Sequence, residues 1–440
     1  MGVIIAQPWV RKGAKPLFSF FAKLLGGAEA FSGRCYHVMV TEGSRGDIMQ
    51  YREDRHGAQI SLLGYGCMRF SRKGGTIDYE KAEAEVLRAI ELGVNYLDTA
   101  YLYPGSEETV GRILDENGLR DSVSIATKLP QYLVRKESAI DRFFNEELRR
   151  LRTDHVDYYL MHMVTDVKQW ENLCALGIED WIAQKKASGA IRNIGFSFHG
   201  STELFLQVLE AYDWDFCQIQ YNYLDEHTQA GRRGLEVAAA RGIPVVIMEP
   251  LRGGKLVDHL PQGALDAFAA SGRTWSPAEW GLRWLWNQPQ VTCVLSGMNS
   301  MEMVEENCRI ASETGAGELT EGDFATLEAV KGAINESVRV GCTGCGYCMP
   351  CPQGVDIPAL FRCYNQMYTE GKNEGRQEYW QTVSLRKEKA FARQCVGCGA
   401  CERKCPQGIA IREQIHIADR ELRPLPWRVA GDVARLWAVR

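Results

Sequence analysis

An α/β fold, in which a closed parallel (β/α)8 barrel is followed by a small cysteine-rich domain, is what this sequence predicts. Three observations point to it. Short, nearly continuous apolar runs alternate with stretches of helical periodicity from about residue 60 to 311. The length of 440 residues exceeds what one such barrel requires. Of the 15 cysteines, eight crowd into two runs, Cys342–Cys351 and Cys395–Cys405, while Cys35, Cys67, Cys174, Cys217, Cys293, Cys308 and Cys363 lie scattered.

Residues 1–48 differ from the rest. Arg11, Lys12 and Lys15 precede an apolar stretch Leu17–Ala22 and a small-residue Ala28-Glu29-Ala30, a faint echo of a secretion signal. The charged stretch starts late, however, Lys23 interrupts the apolar run, and no twin-arginine pair precedes it. The fold is therefore expected to begin near Met49, with 1–48 as a flexible extension. No apolar run approaches the roughly 20 residues of a membrane span. The formal net charge of −5 argues against a bulk nucleic-acid binder.

The strands follow in order. A short one falls near Leu62–Gly66. Next come Tyr96–Thr99, Val123–Thr127, Val156–Met161, Ile191–Phe196, Phe216–Gln220, Val245–Met248 and Val291–Leu295. Such runs suit strands covered on both faces. Between them, Ala82, Val86, Ala89 and Ile90 recur at helical spacing in 79–92, with Asp78 as N-cap and Gly93 after the last turn. Segments 201–212 and 300–310 read the same way. An open doubly wound sheet would show the same alternation, but no G-x-G-x-x-G follows the first strand. The barrel is bounded at 49–315. A helix at 316–340, with Leu319, Phe324, Leu327, Val330 and Ile334 in one stripe, would join it to the cysteine-rich domain at 341–420. The tail at 421–440 is read as packing or as a membrane-surface helix.

In a (β/α)8 barrel, chemistry sits where strands end. Asp98, Lys128 and His162 each end a strand, and Tyr103 lies five residues past Asp98. A phenol is a poor acid at neutral pH. A neighbouring ammonium lowers its pKa, a carboxylate keeps that ammonium charged, and an imidazole orients a carbonyl oxygen. The set reads as a tuned proton donor facing a carbonyl.

Leu97-Asp98-Thr99-Ala100-Tyr101-Leu102-Tyr103 with Ser106-Glu107, Ala126-Thr127-Lys128, Tyr159-Leu160-Met161-His162 and Leu63-Gly64-Tyr65-Gly66-Cys67-Met68 together resemble the aldo/keto reductases. The resemblance implies a TIM barrel that binds NAD(P)H in extended form. It implies Tyr103 as general acid, Lys128 and Asp98 as its tuners, and His162 as the group that orients the carbonyl. It further places Gly66 and Met68 at the first-strand motif, and Ser197 and Gln218 on the nicotinamide amide. Met248 falls where the family has a stacking aromatic, and Phe198 where it has an asparagine. Leu251 and Gly253 fall on the pyrophosphate loop, and Glu306 and Asn307 on the adenine side. The basic residue that many members place against a 2′-phosphate falls near Met303, which tilts the expectation to NADH unless Arg309 or Lys255 substitutes. Tyr101, Tyr132, Phe198, Tyr223 and Arg252 suggest an aromatic-rich substrate pocket.

Cys395-x2-Cys398-x2-Cys401-x3-Cys405-Pro406 matches the bacterial ferredoxin run for a 4Fe–4S cluster, with Gly397, Gly399 and Ala400 letting the backbone wrap close. A zinc site usually pairs two C-x2-C units instead. Cys342-x2-Cys345-x2-Cys348-x2-Cys351-Pro352 is one residue shorter in its last gap. Gln353-Gly354 echoes Gln407-Gly408, suggesting a duplicated two-cluster unit. Two-cluster ferredoxins exchange fourth ligands, so by that resemblance Cys342, Cys345, Cys348 and Cys405 hold one cluster and Cys395, Cys398, Cys401 and Cys351 the other. The expected protein is a cytoplasmic NAD(P)H-linked oxidoreductase of a small carbonyl/alcohol pair, carrying two 4Fe–4S clusters. The alternative is an electron-transfer protein fed by a ferredoxin-like partner, and a third reading is a nucleotide sensor with a vestigial site.

Overall fold

The fold, obtained as a computed structural model, describes residues 49–428 apart from 337, 343, 345, 385–389 and 406. The expectations for residues 1–48, for Cys345 and for 429–440 lie outside the described residues.

Eight parallel strands close a barrel in simple sequence order: β1 (Leu63–Gly66), β2 (Tyr96–Asp98), β3 (Ser124–Leu129), β4 (Val156–Val164), β5 (Ile191–Phe198), β6 (Phe216–Gln220), β7 (Val245–Met248) and β8 (Val291–Ser296). β8 returns to β1 through Val294↔Leu63 and Ser296↔Tyr65. Nearly every strand residue is buried, as sheets covered by helices demand. The apolar runs therefore identified the strands; β4 and β5 extend further than expected, because Ser197 pairs with Gln218 and the β4–β5 ladder resumes at Val164↔Phe198 after an irregularity that spans His162.

Helices cover the outside. Tyr79–Glu91 turns Ala82, Val86 and Ala89 into the core; Asp78 occupies its N-cap but forms no side-chain cap bond. Ahead of β1, an antiparallel hairpin (Tyr51–Glu53 with Gln59–Ser61) covers the end where strands begin. There the Tyr158 hydroxyl donates to Asp54 Oδ2 at 2.7 Å. Met49 is buried against the same core.

The helix Glu321–Asn335 starts in a capping box between Thr320 and Asp323. Leu327, Val330 and Ile334 join the barrel core, but Phe324 is exposed, so the apolar stripe is narrower than the sequence suggested. The remaining residues form a second core around helices Ile357–Thr369, Lys372–Tyr379 and Ile411–Leu422, against which six of the cysteines pack. The repeated Cys-Pro-Gln-Gly is a repeated turn: Gly354 N–H donates to Cys351 O at 2.9 Å and Gly408 N–H to Cys405 O at 3.2 Å. Each turn is followed by one of the two long helices of this domain, Ile357–Thr369 and Ile411–Leu422. Among the described residues no helix is long and apolar enough to cross a membrane.

Candidate functional site

At the C-terminal rim, β2 and β3 run side by side with Asp98 paired to Ala126. Lys128 therefore points inward beside Asp98. Its ammonium donates to Asp98 Oδ1 at 2.7 Å and to Thr99 O at 2.7 Å, and both side chains are buried. Lys128 Nζ lies 5.1 Å from the centre of the Tyr103 ring. The Tyr103 and His162 rings stand edge to face, 6.0 Å apart at 82°. All four residues thus come together at one rim.

The Ser106-Glu107 pair holds the Tyr103 loop. Ser106 Oγ donates to Cys67 O at 2.9 Å and lies 2.8 Å from Thr99 Oγ1. Glu107 accepts from Thr127 Oγ1 at 2.6 Å and from Arg150 at 3.1 Å. Gly105, at φ 80°, makes the left-handed step between loop and helix that a side chain would resist.

Burial works against the charge on Lys128, but Asp98 and then Tyr103 offset it and hold the ammonium above the ordinary lysine range. Burial also governs His162: desolvation first, then Lys128 and His199, push it well below its usual value, so the imidazole is neutral. Lys128 does lower the Tyr103 phenol, as expected, but its pull is outweighed. Desolvation raises it, Lys128 draws it down and Asp98 pushes it up, and the sum is a raised value. The phenol is a fully protonated donor with a cation beside it.

The other expected contacts divide. Ser197 Oγ accepts from Met163 N–H at 2.9 Å. Gln218 Nε2 reaches Met248 Sδ at 3.6 Å, while Gln218 Oε1 is buried with no partner among the described residues. A Cβ on Gly66 would meet Ser296 O at 3.3 Å, so β1 and β8 approach closely there; Met68 is exposed. Leu251 and Gly253 lie in a tight turn after β7, with Gly253 at φ 67°. Glu306 accepts from Ser276 Oγ at 2.7 Å, and Asn307 donates to Ser296 Oγ at 3.0 Å inside the core. Arg309 is paired with Glu279 and Glu313, and Lys255 with Glu370. The residues expected to form an aromatic pocket also divide. Phe198 and Tyr223 belong to the core, Arg252 is half-buried and ion-paired, Tyr101 is half-buried and Tyr132 is exposed.

Two residues that the sequence reading passed over belong to this rim. Arg69 Nη2 pairs with Glu249 at 3.3 Å and lies across Gly253, whose Cβ would fall 2.6 Å from it. Glu249 in turn bears on the Tyr103 phenol. The only signal in the sequence was the position of each residue just past a strand end.

The cysteines surround two concavities. Cys351, Cys395, Cys398 and Cys401 line one with Ile357 and Ile415; Cys342 and Cys405 line the other with Phe361 and Ile411, and Cys348 borders both. Gly397, at φ 71°, aims its N–H at Cys395 Sγ, 3.4 Å away. Thiols around an apolar hollow, with a backbone amide directed at sulfur, fit the donor set of an iron–sulfur cluster. Cys363 is buried in the core beside Thr382 Oγ1 at 3.7 Å, its thiol pushed up to about 12 by burial.

Comparison with known proteins agrees. Residues 62–331 match the aldo/keto reductase family, and residues 341–410 match the 4Fe-4S dicluster domain. Protein tas of Escherichia coli (strain K12) is 25% identical over 346 residues, covering 64% of this chain and 97% of that protein. An aldo-keto reductase of Mycolicibacterium smegmatis is 30% identical over 264 residues, covering 58% and 84%. The solved holo form of aldo-keto reductase AKR11C1 from Bacillus halodurans superposes with a TM-score of 0.54 at 26% identity, covering 64% of this chain and 96% of that one. The family match spans more than half of the sequence and coincides with the closed barrel, so the chain belongs to the aldo/keto reductase family, as an oxidoreductase with a C-terminal 4Fe-4S dicluster domain.

Proposed function

We propose that the barrel reduces the carbonyl of a small molecule, or oxidises the matching alcohol, with Tyr103 as general acid. The observation that carries this reading is the buried Lys128 held between Asp98 and the Tyr103 ring, with His162 across the phenol. Tyr103 keeps its proton at neutral pH and gives it to the carbonyl oxygen. Lys128, fixed by Asp98 and Thr99 O, stabilises the phenolate left behind. His162 is neutral, so one ring nitrogen can donate to the same oxygen and orient it.

The cofactor is NAD(P)H, which supplies the hydride when bound. Its carboxamide would meet Gln218, whose buried, unpartnered Oε1 suits an amide N–H, together with Ser197. Met248 offers a polarisable surface to the ring. Gly66, Met68, Leu251 and Gly253 line its path; Glu306 and Asn307 lie at the adenine end, although their side chains already hold internal bonds. NADH is preferred, because Arg309 and Lys255 are each committed to carboxylates. A Klebsiella pneumoniae relative of the fold was solved with NADPH, and a titration with both nucleotides decides the matter here.

The dicluster domain carries two 4Fe–4S clusters in the exchanged arrangement, which supply one-electron capacity. The lining of the two concavities supports that division, with Cys351 grouped beside Cys395, Cys398 and Cys401, and Cys405 beside Cys342. Thiolate ligands suit a reducing compartment, the cytoplasm. The second reading, reduction of a barrel-bound substrate through the clusters from a ferredoxin-like partner, is favoured by the seating of the dicluster domain on the barrel rim, where Arg252 and Lys255 meet Glu370.

Tyr103→Phe separates the two. If the barrel is a nucleotide-linked reductase, turnover with NAD(P)H and an aldehyde panel falls by roughly 10²–10⁴-fold. Full activity in that variant with a reduced low-potential donor, lost in Cys398→Ala, would establish the second reading instead.

A further inference from the structure

The turn after β7 that carries Leu251 and Gly253 is closed by only a few backbone bonds, among them Arg252 N–H to Glu249 O at 3.2 Å and Gly254 N–H to Leu251 O at 3.0 Å. Arg252, Gly253 and Gly254 all have positive φ, at 49°, 67° and 92°. Left-handed conformations strain an arginine, and consecutive glycines leave the backbone free to wander. The two basic residues flanking the glycines are both bound by a carboxylate from outside the barrel. Glu370 accepts from Arg252 Nη1 at 2.6 Å and from Lys255 Nζ at 2.6 Å. The other edge of the Arg252 guanidinium donates to Asp225 at 2.7 and 2.8 Å, and Asp225 is braced by Asn222 at 2.9 Å.

Glu370 stands at the C-terminal end of the helix Ile357–Thr369. A carboxylate is unfavourable there, because the helix dipole presents its negative end. Gln366 Nε2 and the two cations of the turn offset that, and the Glu370 side chain is only 5% exposed. Its carboxylate thus takes one bond from its own helix and both ion pairs from the turn. The opposite end of the same helix, Ile357 and Phe361, lies in the walls of the cysteine-lined concavities. About 20 Å of straight helix, at 1.5 Å per residue, separates the two ends.

We propose that Glu370 is a positioning residue for the nicotinamide nucleotide: the dicluster domain reaches across to the barrel and holds the Leu251–Lys255 turn in its nucleotide-binding shape. This rests on the reading of the barrel as an NAD(P)H site. A clamp that orders a glycine-rich turn before the ligand arrives removes the ordering penalty from binding.

The test is the dissociation constant for NADH and for NADPH, each measured by nucleotide fluorescence on full-length protein purified anaerobically. Glu370→Gln removes the charge and keeps the shape; it should weaken both nucleotides by about 10-fold, and Glu370→Asp should recover part of that. Lys255→Met, which takes away one of the two anchors, should weaken both by about 3-fold and serves if Glu370→Gln does not fold. Asp323→Asn breaks a comparable bidentate ion pair with Arg273, remote from the turn, and should leave both constants unchanged. Unchanged or tighter binding in Glu370→Gln beside normal binding in the wild type overturns the clamp alone. Equal weakening in Asp323→Asn also overturns it, because the effect would then be general destabilisation. If wild-type protein binds neither nucleotide, the reading of the barrel falls, and the clamp with it.

Discussion

Replacing Asp98 with alanine should destabilise the barrel by about 3–5 kcal/mol at pH 7, the range for breaking a buried pair by removing one partner. The structure explains why the effect is large. Lys128 is fully buried, and its ammonium donates to Asp98 Oδ1 and to Thr99 O, each at 2.7 Å. Without the carboxylate, one carbonyl faces a desolvated cation. The alternative open to the variant is to release the proton. An ordinary lysine titrates near 10.4, about three units above neutrality, and at 1.36 kcal/mol per unit deprotonation caps the penalty near about 4–5 kcal/mol. The sign of the pH dependence follows. In the wild type the Lys128 pKa is raised above its unfolded value, so its contribution is present below about pH 10 and is lost as pH rises through the folded value. In Asp98→Ala the folded value is depressed, so the penalty shrinks as pH climbs. Urea unfolding of both proteins at pH 7 and pH 9.5, followed by tryptophan fluorescence, measures the gap. A gap below about 1 kcal/mol, or one that does not narrow at the higher pH, would refute the buried ion pair as the organiser of this site.

Other consequences are as concrete. Cys351→Ala should release about half of the iron bound by anaerobically purified protein, whereas Cys363→Ala should release none; equal losses would sink the division of ligands between the two concavities. Burial first, and then the nearby Glu378 and Arg362, act on His199, whose value drops to about 4. Because the folded value lies below the unfolded one, His199 contributes stability above about pH 6.5 that is lost as pH falls toward 4, on the order of 3 kcal/mol. His199→Phe should flatten that acid limb in urea midpoints, and an unaltered limb would assign it elsewhere. Gly111→Ala should cost about 1–3 kcal/mol, since its Cβ would stand 2.4 Å from Arg150 O and 2.6 Å from Leu151 Cα, backbone that cannot swing aside. A wild-type melting temperature in that variant would contradict the tight packing of the Ser106–Glu116 helix on its neighbour.

The barrel was legible in the sequence because strands buried on both faces must be apolar throughout. Each strand lay on one of the short, largely apolar runs. The convergence of Asp98, Lys128 and His162 was legible for a related reason. In a parallel barrel all strands end at one rim, so chain position alone places strand-end side chains together. The cysteine runs were legible because ligand spacing is a local property.

What stayed hidden depends on groups distant in sequence. The Tyr103 phenol is raised rather than lowered, because burial outweighs the neighbouring ammonium, and burial depends on everything packed around a residue. Asn307 and Glu306 are expected on the adenine side of the nucleotide, and only the folded chain brings Ser296 and Ser276 within reach of their side chains. Arg252 belongs to the expected pocket set, yet Asp225 and, 118 positions along the chain, Glu370 pair with its charge. The sequence by itself determined the closed barrel, its rim of chemistry and the two cysteine runs, since periodicity and spacing are written along the chain. Only the tertiary structure decided which charges are buried, which are paired and how the dicluster domain grips the barrel, because desolvation and ion pairing depend on distances in space.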